Sequence, residues 1–200
     1  MNKFKVEDVQ GAWDLINNSN RITLLTHMRP DGDGIGACLA LSFLLEGLGK
    51  HVETIYPSAP ELSGSRTSPN YLINKHDQEP ELLIACDTAN VERMYNPKAF
   101  ESIPLINIDH HVSNSIKGRF NFIDFDASSA CEVLYNLLLD WDSSSITKDI
   151  AESLLYGIQD DTNIFRTQST YVSTLRISAD LVEKGADLFE LKTESLSTKN

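Results

Sequence analysis

The sequence predicts an α/β domain, a mainly parallel sheet with helices on both faces. Two observations predict it. Short β-branched or aliphatic runs of strand length alternate with stretches of helix length, the pattern that links parallel strands through helical crossovers. Three of the apolar runs also lead into a polar side chain, His27, Asp87 and Asp109. Parallel strands place their carboxyl ends on one edge, where ligands bind in such sheets. Two hundred residues suffice for one sizeable domain, or one domain and a short tail.

Taken in order, Val6 to Asn18 reads as a helix, because Val6, Val9, Trp13 and Ile16 recur at three-to-four spacing. Arg21 to His27 is β-branched and apolar, as suits a buried strand. Pro30, Gly32 and Gly34 then make a turn, with Gly34 letting the backbone approach closely. From about Ile35 to Gly49 the chain is rich in Ala and Leu and stops on Gly47 and Gly49, which makes a helix. His51 to Tyr56 is a strand, and Pro57 to Pro80 a loop with one helical turn near Tyr71. Leu82 to Cys86 is a strand ending on Asp87, and Leu105 to Ile108 one ending on Asp109. Phe120 to Ile123 is a further short strand. Ser129 to Trp141 and Thr147 to Ile158 are helices, and Ser169 to Lys184 is a last amphipathic one before Gly185. There is no internal repeat and no low-complexity tract.

Composition excludes several classes. A net charge of −12 leaves no basic groove for duplex DNA. It leaves room for a nucleotide, because cation sites are built from carboxylates and the bound ions reverse the local field. No apolar run approaches the roughly 20 residues of a membrane span. The start, MNKFKVEDVQGAW, has no apolar secretory region. A cytoplasmic protein without a membrane partner is the expectation. Cys38, Cys86 and Cys131 are odd in number with no CxxC pair, so they read as small buried side chains rather than disulfides or a zinc site. His51 and His76 read as structural or exposed.

Four clusters carry chemistry. His27-Met-Arg-Pro-Asp31-Gly-Asp33-Gly34 places one imidazole and two carboxylates on a strand-to-helix turn. Asp87 ends an apolar strand. Asp109-His110-His111 ends the next, and Gly157-Ile-Gln-Asp160-Asp161-Thr162 closes a helix. Each is weak alone, since Asp31 or Asp33 equally suits a helix cap. Together they supply the carboxylate and imidazole donors that hard divalent ions accept. Two ions about 3.5–4 Å apart need six or seven such ligands, with one carboxylate bridging. His27, Asp31, Asp33, Asp87, His110 and Asp161 make that number, with no thiolate.

These motifs resemble those of the DHH phosphoesterases, in the same order. His27, Pro30, Asp31, Asp33 and Gly36 fit the first motif, H-x-x-P-D-x-D-x-x-G, and Asp87 the second. Asp109-His110-His111 fits the third, residues 157–162 the fourth, and Asp126-Ala127-Ser128-Ser129 the segment before the next helix. The likeness runs over roughly residues 20–185 and is greatest to the bacterial NrnA-type group of oligoribonucleases and pAp phosphatases. It implies a two-metal site for Mn²⁺, with Mg²⁺ or another divalent ion as substitute. His27, Asp31 and Asp87 would hold one ion. Asp33, Asp87, His110 and Asp161 would hold the other, and a water between them would attack phosphorus. The catalytic pair would be His111, against the phosphate or leaving group, and Asp109, orienting a histidine from behind. Arg166 would pair with a substrate phosphate.

The implied activity is hydrolysis of short oligoribonucleotides or of 3′-phosphoadenosine 5′-phosphate (pAp). Alternatives are a cyclic-dinucleotide phosphodiesterase, a RecJ-type exonuclease, a pyrophosphatase, or a non-enzymatic nucleotide-binding module. A homodimer is the assembly considered. Two positions depart from the family pattern, Asp160 for its usual Thr and Asn163 for its usual Gly. Length departs too. Residues 1–185 are expected to form the metal-binding domain, and 186–200 the start of a linker to a C-terminal substrate-binding domain absent from this chain, without which turnover is expected to be poor.

Overall fold

The computed structural model describes residues 3–60, 71–96 and 98–188 of the chain. Its elements in order are α1 (Val6–Asn18), β1 (Arg21–Leu25), α2 (Gly32–Gly47), β2 (His51–Tyr56), β3 (Tyr71–Ile73), β4 (Leu82–Cys86), β5 (Leu105–Asp109), β6 (Phe120–Ile123), α3 (Ala130–Asp142), α4 (Lys148–Asp161) and α5 (Val172–Glu183). Three 3₁₀ turns, at Val91–Arg93, Lys98–Phe100 and Ser143–Ser145, fill connections in which the sequence shows no periodicity.

All six strands are parallel, in the order β3-β2-β1-β4-β5-β6. The chain therefore moves outward from β1 in one direction, returns to the centre, and moves outward from β4 in the other. Where the order reverses, the connections leave β1 and β4 on diverging paths and open a crevice beyond the strand ends. The α/β class and the parallel sheet stand as read from the sequence.

The strands alternate faces, and the two faces are covered unequally. Ile22, Leu24, Leu82, Ile84, Ile106 and Ile108 pack into one large core with residues of all five α-helices. Their neighbours Leu25, Leu83 and Ala85 face a smaller core of Met94, Phe100 and Ile116, under loops and a 3₁₀ turn. α2 is buried on nearly every side, which is why its sequence is apolar without a polar stripe.

Three local readings change. The chain near Tyr71 is no helical turn: Tyr71–Ile73 pairs with Thr54–Tyr56 as the edge strand β3. Its three residues are too few for periodicity to mark, and partner-strand hydrogen bonds override local propensity. Residues 61–70 of the predicted loop, and 189–200 of the predicted linker, lie outside the described residues. α2 begins at Gly32 rather than near Ile35, because Asp31 caps it by accepting the Gly34 N–H. β1 ends at Leu25, two residues short of His27, which instead makes an isolated bridge with Met94.

Candidate metal centre

Five elements, β1, α2, β4, β5 and α4, deliver the polar side chains to the crevice. His27 follows β1, and its Nδ1 lies 2.9 Å from the Met28 carbonyl oxygen. A carbonyl only accepts, so a proton belongs on Nδ1, and Nε2 is the nitrogen a cation could take. Nε2 faces carboxylates, 3.4 Å from Asp31 Oδ1 and 3.3 Å from Asp87 Oδ2. Asp31 caps α2 and keeps its side chain 48% exposed, whereas Asp33, two residues on, is wholly buried. Gly34 sits where an added methyl group would strike Thr26 Oγ1 and stand 3.4 Å from Asp87 Oδ2. The glycine therefore lets the helix start press against the chain just past β1, beside the residue that follows β4.

Asp87 is buried, and its backbone takes φ +51°, a left-handed conformation that costs about 1–3 kcal/mol in a non-glycine residue. Its two oxygens serve opposite sides: Oδ2 faces His27, while Oδ1 lies 3.7 Å from His110 Nε2. His110 Nε2 also meets Asp161 Oδ2 at 3.1 Å and Asp33 Oδ2 at 3.9 Å. Asp33 Oδ2 accepts the Ala130 N–H at 2.6 Å and Oδ1 the Cys131 N–H at 3.0 Å, so the start of α3 holds this carboxylate. Ser129 caps the same helix by accepting the Glu132 N–H.

Asp109 closes β5, fully buried, and acts as a hub. Its Oδ1 accepts the His110 N–H at 2.8 Å and lies 2.8 Å from His111 Nδ1. Its Oδ2 accepts from Asn114 Nδ2 at 2.6 Å. An ionised carboxylate only accepts, so His111 carries its proton on Nδ1 toward Asp109 and leaves Nε2 free. Although burial opposes ionisation, His111 and Asn114 hold the Asp109 carboxyl below the usual range.

The electrostatics are crowded. Burial and the neighbouring Asp33 charge push Asp87 well above the usual carboxylate range, against the pull of His27. Burial and Asp161 push Asp33 up to about 7, with His110 opposing. Burial works against charging the imidazoles, but Asp31 and Asp87 raise His27 to about 10. Asp161 and Asp33 likewise raise His110 to about 10. Three groups, His27/Asp31/Asp87, Asp33/His110/Asp161 and Asp87/Asp109/His110/His111, each bring ligand atoms within 4.8 Å of one another. Carboxylates this close and this buried need positive charge, and their oxygens together with the Nε2 atoms of His27 and His110 are donor types that a hard divalent cation accepts once it displaces the imidazole protons. The residues present fit such ions.

All six residues expected as ligands thus converge, joined through Asp87. Asp109 and His111 lie against the same group. Arg166 is exposed, five residues past Asp161, and its guanidinium has no partner among the described residues. Between them runs a left-handed turn, Asn163, Ile164 and Phe165 at φ +46°, +58° and +61°. Asn163 suits that conformation where the family pattern has Gly. Asp160 accepts the Gly32 N–H at 2.8 Å, tying the end of α4 to the start of α2.

Two neighbours escaped the sequence reading. Arg93, on a 3₁₀ turn, brings its guanidinium 3.3 Å from His27 Nδ1. A three-residue turn leaves no periodic trace, so nothing in the sequence marked it. Asn114 was legible in part, since Asn three residues after His111 is a turn signal. Cys38, Cys86 and Cys131 are free and buried, as read. His51 is exposed, and His76 packs against Tyr95 and Phe100.

Comparison with known proteins points the same way. Residues 21–158 match the DHH family, N-terminal domain. A relative from Bacillus subtilis, a bifunctional oligoribonuclease and PAP phosphatase NrnA, is 29% identical over 180 residues, covering 89% of this chain and 58% of its own. The protein of the same name from Thermus thermophilus is 30% identical over 175 residues, covering 85% of this chain and 52% of its own. The chain therefore spans little more than half the length of these relatives. Among solved structures, an exopolyphosphatase-related protein from Bacteroides fragilis superposes with a TM-score of 0.90 at 23% identity, over 100% of this chain and 63% of that one. At that identity the likeness is one of fold.

Proposed function

This chain belongs to the DHH family, and from that premise we propose that it is the metal-binding part of a divalent-metal-dependent phosphoesterase. Its substrates are short oligoribonucleotides, pAp, or both. The observation that carries the reading is Asp87, a strained, buried carboxylate with one oxygen toward each of two histidine-carboxylate groups. The family relatives of similar sequence, named for action on oligoribonucleotides and PAP, supply the substrate class.

In this reading His27, Asp31 and Asp87 hold one cation, and Asp33, Asp87, His110 and Asp161 the other, Mn²⁺ being the expected ion. Such a pair supplies Lewis-acid charge to a phosphoryl oxygen and makes a nearby water more acidic. The protein's own groups do the rest. The Met28 carbonyl and Asp109 fix the tautomers of His27 and His111. His111 Nε2, free and facing outward, contacts the phosphate or holds the proton for the leaving oxygen, with Asp109 stabilising the imidazolium. Arg166 meets a second phosphate. Residues 1–185 act as the metal-binding domain and 186–200 begin a linker to a substrate-binding domain, for which the greater length of the relatives leaves room.

The test is a release assay on the Mn²⁺-loaded protein with di- to pentanucleotide RNA, pAp, cyclic dinucleotides and pyrophosphate. Mononucleotide from short RNA, or phosphate from pAp, is the expected product. Preference for cyclic dinucleotides or pyrophosphate would replace the substrate assignment. No turnover of any of them by full-length protein would leave a binding module.

A further inference from the structure

The nucleotide reading leaves open what would hold a base, and two exposed apolar side chains lie on loops joined to Asp109. Val112 is 79% exposed and Phe125 55% exposed. Each occupies the second position of a four-residue turn: His111–Asn114, closed by the Asn114 N–H on the His111 carbonyl, and Asp124–Ala127, closed by the Ala127 N–H on the Asp124 carbonyl.

Both turns are pinned to Asp109. Asn114 reaches its carboxylate from the first turn, and the Asp124 N–H donates to its carbonyl at 3.1 Å from the second. The strands that lead into them, β5 and β6, are neighbours in register, with Asp109 opposite Ile123. The second turn is also anchored at its far end, because the chain runs directly into α3, whose first N–H groups hold Asp33. The loop with Phe125 at its corner is thus fixed at both ends to residues of the metal centre.

A single exposed apolar side chain needs no explanation. Two of them, each at the second position of a turn hydrogen-bonded to Asp109, one through its carboxylate and one through its carbonyl, put exposed apolar side chains on the two loops that brace the site. The net charge of −12 argues against affinity from a cationic groove. Stacking on an apolar or aromatic surface is the other sequence-tolerant way to hold a nucleotide.

We propose that Phe125, with Val112, forms a platform on which the base of a nucleotide substrate stacks while its phosphate lies at the metal centre. The proposal rests on the nucleotide phosphoesterase reading and adds that the base, as well as the phosphate, is recognised by this domain. It favours base-bearing substrates over bare pyrophosphate.

The experiment compares pAp with ribose 3,5-bisphosphate, its base-free counterpart, using Mn²⁺-loaded full-length protein and the variants Phe125→Ala and Phe125→Trp. Phe125→Ala is expected to raise KM for pAp about tenfold, the scale of one lost stack, and to leave ribose bisphosphate unchanged. Phe125→Trp is expected to keep KM for pAp near the wild-type value. Equal effects on both substrates, or none on either, overturn the platform while leaving the phosphoesterase reading intact. A binding readout stands apart from turnover: fluorescence of Phe125→Trp should be quenched by AMP beyond the change seen in wild type, and not by ribose 5-phosphate. Quenching without hydrolysis of any phosphoester would keep the platform and sink the phosphoesterase reading. Absence of base-dependent quenching would sink the platform.

Discussion

The two halves of the candidate metal centre carry the same donor types and are held in different ways. On one side, His27 and Asp31 hang on the turn between β1 and α2, and the Asp31 side chain is half exposed. On the other, Asp33 is sealed, each oxygen already taking an N–H from the start of α3. The first half is a turn whose one tie to a helix is the Asp31 cap on α2. The second is part of the structural joint between α2 and α3, so that removing the Asp33 carboxylate also removes a helix anchor. Asp87 belongs to both, and its left-handed backbone is how one residue faces two ways.

The largest expected effect breaks both halves at once. Asp87→Ala is expected to abolish stoichiometric Mn²⁺ binding at both positions and to lower kcat/KM by at least about a thousandfold, the scale of losing metal-ion catalysis. His27→Ala should remove only the first ion. Calorimetric titration counts the ions. A Asp87→Ala variant that still bound two would refute the shared role.

Next comes the contrast itself, read in EDTA so that metal binding plays no part. Asp31→Ala loses a helix cap, about 1 kcal/mol. Asp33→Ala orphans two buried N–H groups, at about 1–3 kcal/mol each, offset by relief of a carboxylate whose ionisation burial already opposes. Thermal melts should therefore show the larger drop in Tm for Asp33→Ala. Equal drops would mean the two halves are held alike.

The same contrast governs what was legible beforehand. The convergence of the six residues was readable in part: His27, Asp87 and His110 follow apolar strands whose ends a parallel sheet brings together, while Asp31, Asp33 and Asp161 lie at helix ends and showed only as short acidic motifs. The class of sheet followed from the alternation of elements. The joint between Asp33 and α3 was not readable: Asp33 and Ala130 are far apart in sequence, and a carboxylate accepting distant N–H groups has no spacing rule. Arg93 and β3 escaped for a related reason, since three-residue elements are shorter than any period. The role of Asp160 was likewise invisible, its partner Gly32 lying in another motif.

The metal-free protein should also report the crowding through pH. Asp33, whose pKa rises to about 7, and His27 and His110, raised to about 10, all bind protons more tightly folded than unfolded. For such groups the contribution to stability is complete below the unfolded pKa and is lost as pH rises through the folded one. Stability in EDTA should fall from about pH 4 to 7 through Asp33, and again from about 6.5 to 10 through the histidines. Asp31 and Asp109, held low, act the opposite way at more acid pH. Saturating Mn²⁺ should flatten the fall. Denaturant melts across that range, with and without metal, give the comparison. A metal-free stability that rose between pH 7 and 9 would contradict the arrangement.

The smallest effect concerns Asp160, where the family pattern has Thr. Two forces oppose each other there. The carboxylate accepts the Gly32 N–H at the start of α2, where a negative charge is favourable. Yet burial, then the nearby Asp31 and Asp161 charges, raise its pKa, so ionisation is strained. Asp160→Asn keeps an acceptor and removes the charge; Asp160→Ala removes both. In EDTA, Asn is expected to match or slightly exceed wild type, and Ala to lose about 1 kcal/mol, a shift of roughly 2–4 °C in Tm for a chain of this size. With Mn²⁺ the order for Asn should invert, because a carboxylate beside the ligands favours a divalent cation. Its metal affinity is expected to drop several-fold. An Asn variant that bound Mn²⁺ as tightly as wild type would show that Asp160 serves the helix joint alone.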